Sequence, residues 1–77
     1  MVHAFVMVKA DVGEAATMLD RVDSVEGVTE AHVVAGDYDL ILELEAPEVY
    51  DVLQVTANEV QALSGITDTK TYVSMED

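Results

Sequence analysis

Val2, Ala4, Val6, Val8 and Ala10 alternate with His3, Phe5, Met7 and Lys9, the period-two pattern of a β-strand. Both sets are largely apolar, so this strand needs cover on both faces. Over residues 13–25 the period changes: Ala15, Met18, Leu19, Val22 and Val25 fall on one stripe at helical spacing, and Glu26-Gly27 supplies the stop. Residues 28–35 read as a second strand and Gly36-Asp37 as a tight turn. Residues 38–45 are then a third strand, with Leu40, Leu42 and Leu44 on one face. Pro47 marks the start of a second helix, whose expected buried stripe is Val49, Leu53, Ala57, Val60 and Leu63. Ser64-Gly65 ends that helix, and residues 66–75 form the last strand.

The pattern also repeats. Val25-Glu26-Gly27-Val28-Thr29-Glu30 is echoed by Leu63-Ser64-Gly65-Ile66-Thr67-Asp68, with the two glycines 38 residues apart in a chain of 77. Each half is strand, helix, strand. The expected fold is therefore α+β, a ferredoxin-like split βαβ plait (βαββαβ) with a four-stranded antiparallel sheet and two helices on one face. Residues 1–77 form one domain, with no linker or low-complexity tract. Two helices can cover only one face of such a sheet, which leaves Phe5, Met7 and Ile41 on the other. A second copy of the chain is the simplest cover, so these three are the expected interface residues.

Composition narrows the function classes. Sixteen Asp and Glu stand against three Lys and Arg, a formal net charge of −13. Counterion release from nucleic acid needs a basic stripe that three scattered cations cannot form, so direct nucleic-acid binding is not expected. At 51 % hydrophobic content the chain is not of the disordered class. Acids spread along the whole length read as a halophile's surface, kept hydrated and screened by molar salt. No apolar run approaches the roughly 18 residues of a membrane span and no signal peptide opens the chain, so a cytoplasmic location and no membrane partner are expected. With no cysteine, thiolate metal sites, disulfides and thiol nucleophiles are excluded.

Candidate chemistry is sparse. His3 and His32 lie in no HxH, HxxxH or HExxH pattern, and both read as accommodated strand histidines, with no metal and no cofactor expected. The serines lack a nucleophile elbow and the four glycines form no phosphate loop. Gly36-Asp37-Tyr38-Asp39 stands out, because a hairpin turn needs no carboxylate one step into a strand, where it must pair or bind something. Around the second repeat glycine, Thr67 and Thr69 share one face of the last strand and Asp68 takes the other. Hydroxyls and backbone N–H groups there suit a small zwitterion.

Four segments in order then carry a resemblance. They are residues 2–8 (VHAFVMV), 25–28 (VEGV), 34–42 (VAGDYDLIL) and 65–73 (GITDTKTYV). Together they resemble the effector-binding (RAM) domain of the Lrp/AsnC, or feast/famine, transcription regulators. The resemblance implies face-to-face dimers, rings of dimers, and an amino acid or related small molecule bound between neighbouring dimers. It carries over Gly36, Asp37, Tyr38 and Asp39 together with Thr67, Asp68 and Thr69 as ligand-binding residues. Asp39 would take an α-ammonium, and hydroxyls and N–H groups an α-carboxylate. With only Met1 ahead of Val2, the expectation is the stand-alone form known from archaea and bacteria, without the helix-turn-helix half.

The leading expectation is thus a non-enzymatic sensing and oligomerisation module linked to transcription regulation, with full-length Lrp/AsnC regulators as possible partners. Two other readings stay open. One is a small dimeric plait enzyme of the monooxygenase or isomerase kind, with His3 or His32 as base. The other is an ACT-like regulatory subunit of an amino-acid enzyme.

Overall fold

The computed structural model describes residues 1–75; Glu76 and Asp77, the last two of the expected domain, lie outside the described residues. The chain runs β1 (Val2–Ala10), α1 (Ala15–Asp23), β2 (Val28–Val33), β3 (Leu40–Ala46), α2 (Val49–Val55) with one π-helical turn (Thr56–Val60), and β4 (Ile66–Val73). The strands form one antiparallel sheet in the order β2-β3-β1-β4, the expected plait. Among the described residues no helix is long and apolar enough to cross a membrane.

One face of the sheet builds the core. Ala4, Val6 and Val8 of β1 and Leu40, Leu42 and Leu44 of β3 are at most 1 % exposed, and Met18, Val22, Val52 and Val60 of the helices close over them. The opposite face carries Phe5, Met7 and Ile41, each half-buried, with no helix over them. Cross-strand neighbours flank this apolar strip: Phe5 lies between Glu43 and Tyr72, and Met7 between Ile41 and Lys70.

The repeat has a structural basis. Gly27 and Gly65 adopt φ of +99° and +97°, which side chains rarely tolerate, and each turns the chain from a helix end into a strand. The Gly27 carbonyl accepts the N–H of Glu45 in β3 at 2.9 Å, and the Gly65 carbonyl accepts that of Asp11, just past the end of β1, at 2.8 Å, so each unit is tied to the other at or beside its first strand. Arg21 adds a bond from the end of α1 to the Ser64 carbonyl, 2.9 Å. At Gly65 an added Cβ would also meet Met18 Cε at 2.8 Å, whereas at Gly27 its nearest neighbour is 3.6 Å away. Gly27→Ala and Gly65→Ala should each cost about 1–3 kcal/mol in strain. Gly65→Ala should be the worse of the two in urea melts, since the core methionine must also move.

Three expectations need correction. The buried stripe of α2 is Val52, Thr56 and Val60, with Val55 and Leu63 partly buried, whereas Val49 and Leu53 are 46 % and 50 % exposed and Ala57 is exposed. Thr56 can be buried because its hydroxyl donates to the Val52 carbonyl at 3.0 Å, leaving a β-branched, effectively apolar surface. The hairpin between β2 and β3 is wider than a two-residue turn: β2 stops at Val33, β3 starts at Leu40, and the Val34 N–H donates to the Asp39 carbonyl at 2.9 Å across the loop. Gly36 is not among the glycines of positive φ, so it supplies no left-handed turn there. The last strand, finally, ends at Val73 rather than Met75.

Candidate functional site

The two segments singled out in the sequence meet at one end of the sheet, on either side of the last residues of β1. Val8 pairs with Leu40 on one flank and with Thr69 on the other; Lys9 then pairs with Asp68, and a bulge shifts Ala10 onto Ile66. Bulges re-aim side chains at strand ends, and here the bulge opens the edge between β1 and β4.

Beside it lies a shallow, mostly polar cleft of about 300 Å³, lined by Gln61, Ile66, Thr67, Asp68 and Thr69. Thr69 shares the face of Val8, toward the helices, and its hydroxyl accepts a hydrogen bond from Gln61 Nε2 at 2.8 Å. Thr67 donates its hydroxyl to the Lys9 carbonyl, 3.2 Å, and Asp68 Oδ1 accepts the Thr69 N–H, 2.9 Å. Gln61 gave no signal in the sequence. It is placed by the π turn, in which its N–H reaches back to the Thr56 carbonyl at 2.9 Å. Such a turn re-phases a helix by one residue, and here it carries Gln61 to β4.

Gly36, Asp37, Tyr38 and Asp39 do not line that cleft. Asp39 answers the question its position posed: its Oδ2 accepts the Ala10 N–H at 2.9 Å, and its own N–H donates to the Val8 carbonyl at 2.9 Å. The carboxylate thus replaces the next rung of the sheet where β1 leaves it. Tyr38 lies against the Lys9 ammonium, 5.8 Å from ring centroid to Nζ, so Lys9 spans the ground between Tyr38 and its strand partner Asp68. Gly36 and Asp37 are exposed in the loop.

Neither histidine lines the cleft. His3 stacks on Phe5, with ring centroids 5.1 Å apart and planes 20° from parallel, on the open face of the sheet. His32 is on the edge strand β2. A base for the enzyme reading would have to act there, away from the Thr67 and Thr69 hydroxyls.

Comparison with known proteins agrees with this architecture. The family model of the Lrp/AsnC ligand-binding domain matches residues 3–77. The leucine-responsive regulatory protein of Escherichia coli is 34 % identical over 56 residues, 73 % of this chain, and the match spans only about a third (34 %) of that protein. A hypothetical protein from Pyrococcus horikoshii, of 27 % identity, superposes with a TM-score of 0.90 over 100 % of this chain and 93 % of its own. A transcriptional regulator of Neisseria meningitidis, solved as a complex with L-Met, shares the fold at 14 % identity and a TM-score of 0.86, covering 99 % of this chain and 51 % of that one. The residues that carry the resemblance, the plait they fold into and the family match over nearly the whole length agree, and the chain belongs to the Lrp/AsnC ligand-binding domain family.

Proposed function

We propose that this chain is a small-molecule sensing and oligomerisation module that binds an amino acid or a related zwitterion, with the cleft of Gln61, Thr67, Asp68 and Thr69 contributing to the site. The observation that carries the reading is the pairing of opposite needs in that cleft. An exposed carboxylate, Asp68, suits an α-ammonium, while the Thr69 hydroxyl, which accepts from Gln61 and keeps its own proton, and the second N–H of the Gln61 amide suit an α-carboxylate. Membership of an effector-binding family and the L-Met held by the Neisseria protein support the ligand class. Asp39 takes the part of a positioning residue, because one of its oxygens already holds the end of β1. The cleft is open, which suits a ligand enclosed between neighbouring subunits, and face-to-face pairing through Phe5, Met7 and Ile41 followed by ring assembly would supply the missing wall. Regulation of transcription would follow from mixed assembly with full-length regulators or from competition for effector.

A thermal-shift screen of the twenty amino acids in high salt tests this. One or a few should raise the melting temperature, since a ligand at 100 times its dissociation constant adds about 2.7 kcal/mol. Asp68→Asn should reduce that shift strongly and Asp20→Asn, on the outer side of α1, should not. A flat response across all twenty would remove the amino-acid reading.

A further inference from the structure

The open face of the sheet gathers the only two histidines of the chain around one carboxylate. Glu43 of β3 directs Oε1 to His3 Nε2 of β1, 3.4 Å, and Oε2 to His32 Nε2 of β2, 3.5 Å. On the other side of His32, Glu30 Oε1 is 3.6 Å from the same Nε2. Ligand atoms of Glu30, His32 and Glu43 all lie within 4.8 Å of one another. Neighbouring donors of a tetrahedral zinc ion are about 3.4 Å apart, so the two separations from His32 to its carboxylates, 3.5 and 3.6 Å, already have nearly the length of a coordination edge.

Two further observations favour a cation. Glu30 and Glu43 are direct cross-strand partners, brought opposite each other by the register shift after Val28, and like charges so placed repel. A dication between them converts that repulsion into attraction. His3 Nε2, for its part, is shut off from solvent and makes no hydrogen bond among the described residues, although it abuts Glu43. An imidazole nitrogen beside a carboxylate is placed to orient it through a ring N–H, or to join the ligand set as a neutral donor.

We infer a binding site for a divalent late transition-metal ion such as Zn²⁺, with His32 Nε2 and one oxygen each from Glu30 and Glu43 as ligands and His3 orienting Glu43 or completing the set. Mixed imidazole and carboxylate donors select zinc, copper(II) or nickel over magnesium and calcium, which take oxygen alone. The ligands come from strands of a single chain, so the site does not depend on the amino-acid reading or on a second copy covering Phe5 and Met7. Glu30 and His32 share a face of β2 by their spacing, but only strand pairing brings Glu43 and His3 to them, so no metal motif announces the site.

Titration of the purified, chelator-treated protein with Zn²⁺ by calorimetry, in molar KCl with millimolar Mg²⁺ to occupy ordinary surface carboxylates, tests the proposal. One ion per chain should bind saturably, and Co²⁺ in its place should give the intense visible band of a low-coordinate site. His32→Ala and Glu43→Gln should each weaken binding by roughly tenfold or more. Asp20→Asn should not, and metal-free melting curves identify any variant that fails to fold. Glu30→Gln, on the exposed edge strand, is the alternative should Glu43→Gln be unstable. No saturable binding, or equal affinity in wild type and a folded His32→Ala, would overturn the site and leave only diffuse attraction to an acidic surface.

Discussion

Phe5→Asp should abolish the proposed face-to-face pairing of chains, leaving monomers, or prevent folding. Phe5 sits in the middle of the uncovered sheet face, stacked on His3 and flanked across the strands by Glu43 and Tyr72. Burying one such side chain contributes roughly 1.5–3 kcal/mol, and a two-fold interface buries it twice. Loss of both, about 3–6 kcal/mol, weakens a dimer by roughly two to four powers of ten, before counting the new carboxylate beside Glu43. Val12→Asp, at a fully exposed position in the β1–α1 loop, is the control that adds the same charge away from the face. Sedimentation in 2 M KCl should give a dimer or a ring of dimers for wild type and Val12→Asp. A folded wild-type monomer at micromolar concentration would remove the interface.

The second large effect is a dependence on salt. A net charge of −13 is carried on a body with a radius of gyration of 11.5 Å, comparable to the Debye length of about 10 Å in 0.1 M salt. At that ionic strength nearly every carboxylate feels its neighbours; in 1 M salt the length falls to about 3 Å and the repulsion is confined to adjacent pairs such as Glu30 and Glu43. Each kcal/mol relieved raises the melting temperature of a domain this size by about 4–8 °C, so a rise on the order of 10 °C is expected between 0.05 and 2 M KCl. Most of the rise should come at the low-salt end, where screening changes fastest; sucrose, which stabilises by exclusion and does not screen charge, should raise the melting temperature steadily with concentration instead. An unchanged melting temperature would contradict the reading of the acidic surface as a salt adaptation.

Strand periodicity and the doubled glycine motif made the plait legible, since alternation in β1 and β3 and the stop at each helix end are local properties of the chain. The phase of α2 was not legible in the same way. Thr56 counts as polar in any pattern, yet a single bond to Val52 lets it pack in the core, and the apolar residues Val49 and Leu53 turn outward. The candidate cleft was legible in part. Thr67, Asp68 and Thr69 do line a cleft, but Gln61 reaches it only through a π turn that no composition signals, and Asp39 spends its carboxylate on the Ala10 N–H. In the cluster of His32, Glu30 and Glu43, the spacing of Glu30 and His32 puts both on one face of β2, but Glu43 joins them only through strand register.

Native mass spectrometry of the protein purified from its own host, sprayed from concentrated volatile salt, tests the sensor reading most directly because it reports subunit number and retained ligand in one spectrum. An even number of subunits should appear, carrying a mass increment equal to an amino acid or a closely related zwitterion that is lost on Asp68→Asn. A spectrum of bare chains that gains no such increment from any added amino acid would contradict it.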